Sequence, residues 1–138
     1  MTLPLLPPTT RFLAADTDVV APDGSDVRLL AATDRGSMAH FTPAPGRIAA
    51  AVAHRTVEEL WFVVSGQGRI WRRQGKDESI ETLRAGLSLS IPVGTHFQFR
   101  CDGEVPLTVV GVTMPPWPGF DEACAVEGPW RPDRAFSG

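Results

Sequence analysis

Three histidines, His40, His54 and His96, and two cysteines, Cys101 and Cys124, are the side chains of this 138-residue chain whose chemistry depends most on where they stand. An imidazole ligates metals or moves a proton near neutral pH. A thiol becomes a nucleophile or ligand only when its thiolate is stabilised, and neither cysteine has a neighbouring histidine or a C-x-x-C partner. An inert buried thiol is therefore expected at Cys101. The chemistry on offer is that of a few imidazoles and the carboxylates near them, with Glu58 and Glu59 following His54 closely.

Composition limits what such groups can serve. The chain holds 43% hydrophobic and 21% charged residues and a formal charge of -3, which excludes a disordered acidic tail. Apart from Arg72-Arg73 there is no basic cluster, so a nucleic-acid footprint is not expected. No run of 18 apolar residues is present, so no membrane span is expected. No signal-peptide pattern opens the sequence and the cysteines suggest no disulfide scaffold. A cytoplasmic protein that takes a small molecule is the expectation.

The elements that must position these residues are short. Thirteen Gly and thirteen Pro make up nearly one residue in five, which disfavours a helical bundle, because helix interiors lose about 1 kcal/mol per Gly and about 3 per Pro. Strands are expected at 27–32, 38–42, 47–54, 59–65, 67–73, 79–83, 87–91, 96–100 and 107–113. Turn signals such as Gly66-Gln67-Gly68 and Pro92 to Gly94 bound them. Strands at this spacing indicate a sandwich or barrel. Leu60 to Val64 is apolar on both faces and needs cover on each, from the barrel interior and from a second sheet or a partner subunit, and a homodimer is the expectation. Residues 1–25 read as an extended arm packing on a body at 26–114. Residues 115–138 read as a Pro- and Trp-containing tail, held by Trp117 and Trp130, with one or two helical turns over Phe120 to Val126.

Two stretches resemble the cupin signatures. The first cupin motif, G-x5-H-x-H-x(3 or 4)-E-x6-G, is matched by Gly46, His54, Glu59 and Gly66, with Val52 in place of its first histidine. The second, G-x5-P-x-G-x2-H-x3-N, is matched by Gly86, Pro92 and Gly94, with Phe97 and Cys101 in place of His and Asn. The segment from His54 to Trp61 is also similar to small stand-alone cupins of the conserved-barrel kind. The resemblance implies an all-β, antiparallel jelly-roll barrel.

It also implies a site. Metal-binding cupins gather histidines and a glutamate from facing strands at one point, a donor mix suited to Fe, Mn, Ni, Cu or Zn. Carried over position by position, the resemblance keeps His54 and Glu59. Glu59 is preferred to Glu58 because it keeps the six-residue spacing to Gly66. His96 is the candidate third ligand, one residue before the motif position. Either Phe97 and Phe99 face inward and His96 outward, or a tighter turn or bulge brings His96 in. A complete site would imply oxygenase, isomerase or lyase chemistry. The alternative is a metal-free, non-enzymatic binding or structural cupin whose pocket is walled by Val52, Trp61, Phe97 and Phe99. His40 is a further candidate for the interior, and Arg47, Arg55 and Arg100 are candidates for holding an anionic ligand.

Overall fold

The computed structural model describes residues 7–21, 23–119, 121–134 and 136. Eleven strands follow one another: β1 (Val19–Val20), β2 (Asp26–Ala32), β3 (Ser37–Phe41), β4 (Val52–His54), β5 (Glu58–Ser65), β6 (Gln67–Gln74), β7 (Asp77–Arg84), β8 (Ser88–Ile91), β9 (His96–Cys101), β10 (Thr108–Met114) and β11 (Ala123–Ala125). No helix occurs among the described residues, and so none there is long and apolar enough to cross a membrane.

The strands form two antiparallel sheets, β1-β2-β3-β10-β5-β8 and β11-β4-β9-β6-β7. Chain neighbours such as β3 and β4 lie in different sheets, the interleaving of a jelly roll. The sheets pack face to face but do not close into a barrel. Among the described strands no ladder joins one sheet to the other, and β1 from the arm and β11 from the tail stand at edges that closure would have to pair.

All nine expected strands are present, with two changes. The stretch expected as one strand at 47–54 is strand only from Val52, with Ile48 making an isolated bridge to Arg100. The expected helical turns of the tail are not formed: Ala123–Ala125 pairs with β4. Glu122 explains this. Its carboxylate accepts hydrogen bonds from the backbone N–H groups of Thr56 and Val57, each at 2.6 Å, which holds the tail extended beside the β4–β5 turn. Phe120, the first residue of that expected helix, lies outside the described residues, as do residues 1–6 and Pro22 of the arm.

Motif glycines act through their backbone. Gly66 takes φ +88° between β5 and β6, and a Cβ there would come within 2.5 Å of the Pro106 carbonyl oxygen, so both conformation and space demand glycine. Gly94 takes φ +79° and donates its N–H to the His54 carbonyl at 3.1 Å, tying the turn of the second motif to the histidine of the first. Deeper in, Val63, Ile70, Leu83, Leu107 and Val109 are fully buried and join the aromatic residues in one core.

Candidate functional site

The inner faces of the two sheets enclose a cavity of about 290 Å³. Strand register decides what lines it, because directly paired residues share a face. Ser37 pairs with Thr113, and Thr113 with Glu59, giving an inward polar row at one end. The next inward row, Ala39, Gly111, Trp61 and Leu89, is apolar. From the opposite sheet Val52 pairs with Phe97, and both line the cavity with His54 and Phe99.

The aromatic rings pack edge to face. Trp61 meets Phe41, Phe97 and Phe99 at centroid separations of 5.5, 6.2 and 5.0 Å, the arrangement that ring quadrupoles favour. His54 meets Phe97 at 5.2 Å and Trp117 of the tail at 5.0 Å. Trp117 is held in turn by its backbone N–H, which donates to the Ser37 hydroxyl at 3.3 Å.

His54 and Glu59 come together inside this apolar shell. Nδ1 of His54 lies 3.4 Å from Oε2 of Glu59, yet without the alignment of a hydrogen bond, and it is a buried nitrogen with no partner. The Trp61 indole N–H donates to Oε1 of Glu59 at 3.3 Å. Burial pushes the Glu59 carboxyl up to about 8, against the Trp61 hydrogen bond and with a contribution from the Asp23 charge. Burial pulls His54 down to about 4, opposed by the Glu122 carboxylate. At neutral pH the pair is therefore an uncharged imidazole beside an uncharged carboxyl.

His96 is not part of this site. It pairs with Ala53 and Arg73 across its strand neighbours, and its Nδ1 faces the Arg73 guanidinium at 3.5 Å, away from the cavity that Phe97 and Phe99 line. The regular register of β9 is the physical reason: alternation turns residues 97 and 99 inward and 96 outward, and no bulge interrupts the β9 ladders. Gln98, on the same face as His96, needs no slip to be buried, since its amide donates to the carbonyls of Ala49 and Trp130 and accepts from the Trp130 N–H.

His40 also points away, in the outer row with Val110 and Phe62. Burial and the Arg28 charge hold it below its ordinary pKa. The three arginines are engaged elsewhere: Arg47 with Asp133, Arg55 with the Asp121 carbonyl, and Arg100 with Asp102 under the Trp130 ring. None of them lines the cavity.

The donors do not fit a cupin-type metal. Among the described residues no three His, Cys, Asp or Glu side chains converge. The positions that would complete the set carry Val52 and Phe97, and both are buried against His54 or in the same wall. Two donors with no third beside them make a poor centre.

Sequence reasoning missed Asp23 and Ser25, which line the cavity from the arm, and Thr113. Alternation in β10 was a usable signal for Thr113; the Asp23-Gly24-Ser25 turn offered none, because its placement depends on a distant backbone contact, Ala50 N–H to the Asp23 carbonyl.

Comparison with known proteins agrees with this architecture. Among solved structures, a conserved protein with a double-stranded β-helix domain from Klebsiella pneumoniae superposes with a TM-score of 0.61 at 19% identity, over 86% of this chain and 91% of that one. The capsular polysaccharide assembling protein CapF of Staphylococcus aureus gives 0.64 at 22% identity, over 92% of this chain but only 35% of CapF. Oxalate decarboxylase gives 0.57 at 18% identity, over 64% of this chain and 25% of the enzyme. At these identities the likeness is one of fold. No curated protein matches the sequence. The family model described as a cupin domain matches residues 39–113, more than half of the chain and the whole span of both motifs, and the chain belongs to the cupin family.

Proposed function

We propose that this cupin is a metal-independent binding protein for a small, largely apolar organic molecule, seated between the sheets with its polar group at His54 and Glu59. The observation that carries this reading is the substitution of apolar for ligating side chains inside an open volume: Val52 and Phe97 stand at the motif's histidine positions, and with Trp61 and Phe99 they wall the cavity. Apolar walls with few convergent polar groups are the general form of a small-molecule site. A cavity of about 290 Å³ exceeds the roughly 150 Å³ that suffices for benzene.

Elemental analysis of metal-replete protein, paired with ligand titrations, tests the reading. The expected result is no stoichiometric metal, with small aromatic compounds bound in the native protein and lost in Ala39→Phe, whose ring would occupy the cavity. A stoichiometric metal that disappears in His54→Ala would overturn it in favour of a metal centre.

The outer face of β5 supports a homodimer as the working form. Leu60, Phe62 and Val64 are half exposed and adjoin Val110 and Val112 of β10, with no charge among them. An apolar row of this kind matches another copy of itself, as an isologous contact requires. Light scattering should give the mass of a dimer for the native chain and of a monomer for Phe62→Glu; a native monomer at micromolar concentration would remove this part of the proposal. The free thiols, Cys101 buried and Cys124 half-buried, fit a reducing compartment such as the cytoplasm.

A further inference from the structure

We infer that the ligand of this cavity is an organic amine, bound as its ammonium ion between the carboxyl groups of Asp23 and Glu59 and the aromatic walls. The inference rests on the binding reading above and names the chemical class. Asp23 and Glu59 both line the cavity, and among the described residues no lysine or arginine does. Glu59 is 5% exposed, and its nearest basic group is the His54 imidazole. A buried acid without a cationic partner is costly to ionise, and a bound cation is the partner the protein itself does not supply.

The walls point the same way. Phe41, Trp61, Phe97, Phe99 and Trp117 surround the cavity, and ring faces attract ammonium groups, more strongly when water is excluded. Aromatic rings beside a carboxylate therefore discriminate a cationic ligand from an isosteric neutral or anionic one.

Two further polar atoms await a partner. Nδ1 of His54 and Oγ of Ser25 are buried, at 6% and 7% residue exposure, and neither makes a hydrogen bond. Native proteins rarely leave such atoms unsatisfied. An ammonium group has three hydrogens to donate, and a neutral imidazole, a hydroxyl and a carboxylate all accept. Ser25 adjoins Asp23, whose Oδ1 already accepts the Ser25 N–H at 2.9 Å, so the amine-facing acceptors come from both the arm and the sheets.

The test uses the full chain and three one-ring probes of near-equal size: benzylamine, benzyl alcohol and benzoate, followed by calorimetry and tryptophan fluorescence. The amine should bind at least about tenfold more tightly than the alcohol, the equivalent of one good charged contact, and benzoate should not bind measurably. Asp23→Asn and Glu59→Gln should each weaken binding of the amine more than that of the alcohol, so that the tenfold preference shrinks. The probe series on native protein decides the matter even where a variant does not fold. Equal binding of amine and alcohol, or tightest binding of benzoate, overturns the amine inference; if Ala39→Phe then abolishes both, the binding reading stands. Absence of binding by all three probes, or binding indifferent to Ala39→Phe, overturns both.

Discussion

Strand β5 carries apolar residues on both faces, and the two faces have different fates. Glu59, Trp61 and Val63 point inward and are 5%, 3% and 0% exposed, whereas Leu60, Phe62 and Val64 point outward and are 50%, 49% and 47% exposed. Hydrophobicity along the strand does not distinguish them. What distinguishes them is the second sheet, which brings Phe97 and Phe99 against Trp61 and leaves the outer row facing solvent within the single chain. Burial on one side also changes chemistry: Glu59 is held as a neutral acid near neutral pH, while Glu58, one residue away, stands exposed on the other face.

The contrast is broken most directly at Trp61. Trp61→Ala removes the ring that meets Phe41, Phe97 and Phe99 and should cost about 3–5 kcal/mol in denaturant unfolding. The matched change Phe62→Ala on the outer face should cost less than about 1 kcal/mol in the monomer. Equal losses would show that the outer face is as well packed as the inner.

Glu122 tests how firmly the tail holds the turn that leads into β5. Burial works against its ionisation, but hydrogen bonds from Thr56 and Val57 prevail and hold its pKa below the ordinary value. Glu122→Gln should destabilise the chain by about 1.5–3 kcal/mol. It should also raise amide exchange at Ala123–Ala125 before any change is seen in β5. Unchanged exchange there would mean that the pairing of β11 with β4 suffices without the carboxylate.

The pH dependence sharpens the inner face. The unfolded Glu59 carboxyl loses its proton near 4.5 and the folded one near 8, so the folded state holds the extra proton between these values and stability falls as pH rises. His54, lowered from 6.5 to about 4, gives the opposite slope between pH 4 and 6.5 and offsets the fall there. The net decline should therefore appear between pH 6.5 and 8, at up to about 1.4 kcal/mol per pH unit. Urea melts across that window should show the decline in the native protein and lose it in Glu59→Gln. A slope unchanged in the variant would assign it to another group.

The smallest effect is expected at His96, whose imidazole faces Arg73 outside the cavity. His96→Ala should change stability by less than about 0.5 kcal/mol and leave ligand affinity as it is. A loss of affinity there would bring residue 96 back to the site.

Much of this architecture is legible in the order of the residues. Turn glycines and prolines mark the strand limits, since few residues replace Gly66 at φ +88°. The spacing from Gly46 to Gly66 places Val52, His54, Glu59 and Trp61 in one motif, and alternation puts Trp61 on the face of Glu59. Other features are not legible, for physical reasons. The tail strand at Ala123–Ala125 forms because Glu122 finds backbone donors 65 and 66 residues away, a contact with no local signature. Asp23 and Ser25 reach the cavity through the path of the arm, and turn composition does not fix that path.

Local order along the chain was set by sequence alone: an all-β jelly roll, its turns, and a depleted pair of ligating residues at His54 and Glu59. Tertiary structure decided the direction of residue 96, the opening between the sheets, and the neutral state of the His54–Glu59 pair. A strand pattern is periodic and looks the same under a one-residue shift, so only the ladders of β9 with β4 and β6 could turn Phe97 inward. A carboxyl's pKa depends on how much water reaches it, and that is settled only when the second sheet and Trp117 close over the site.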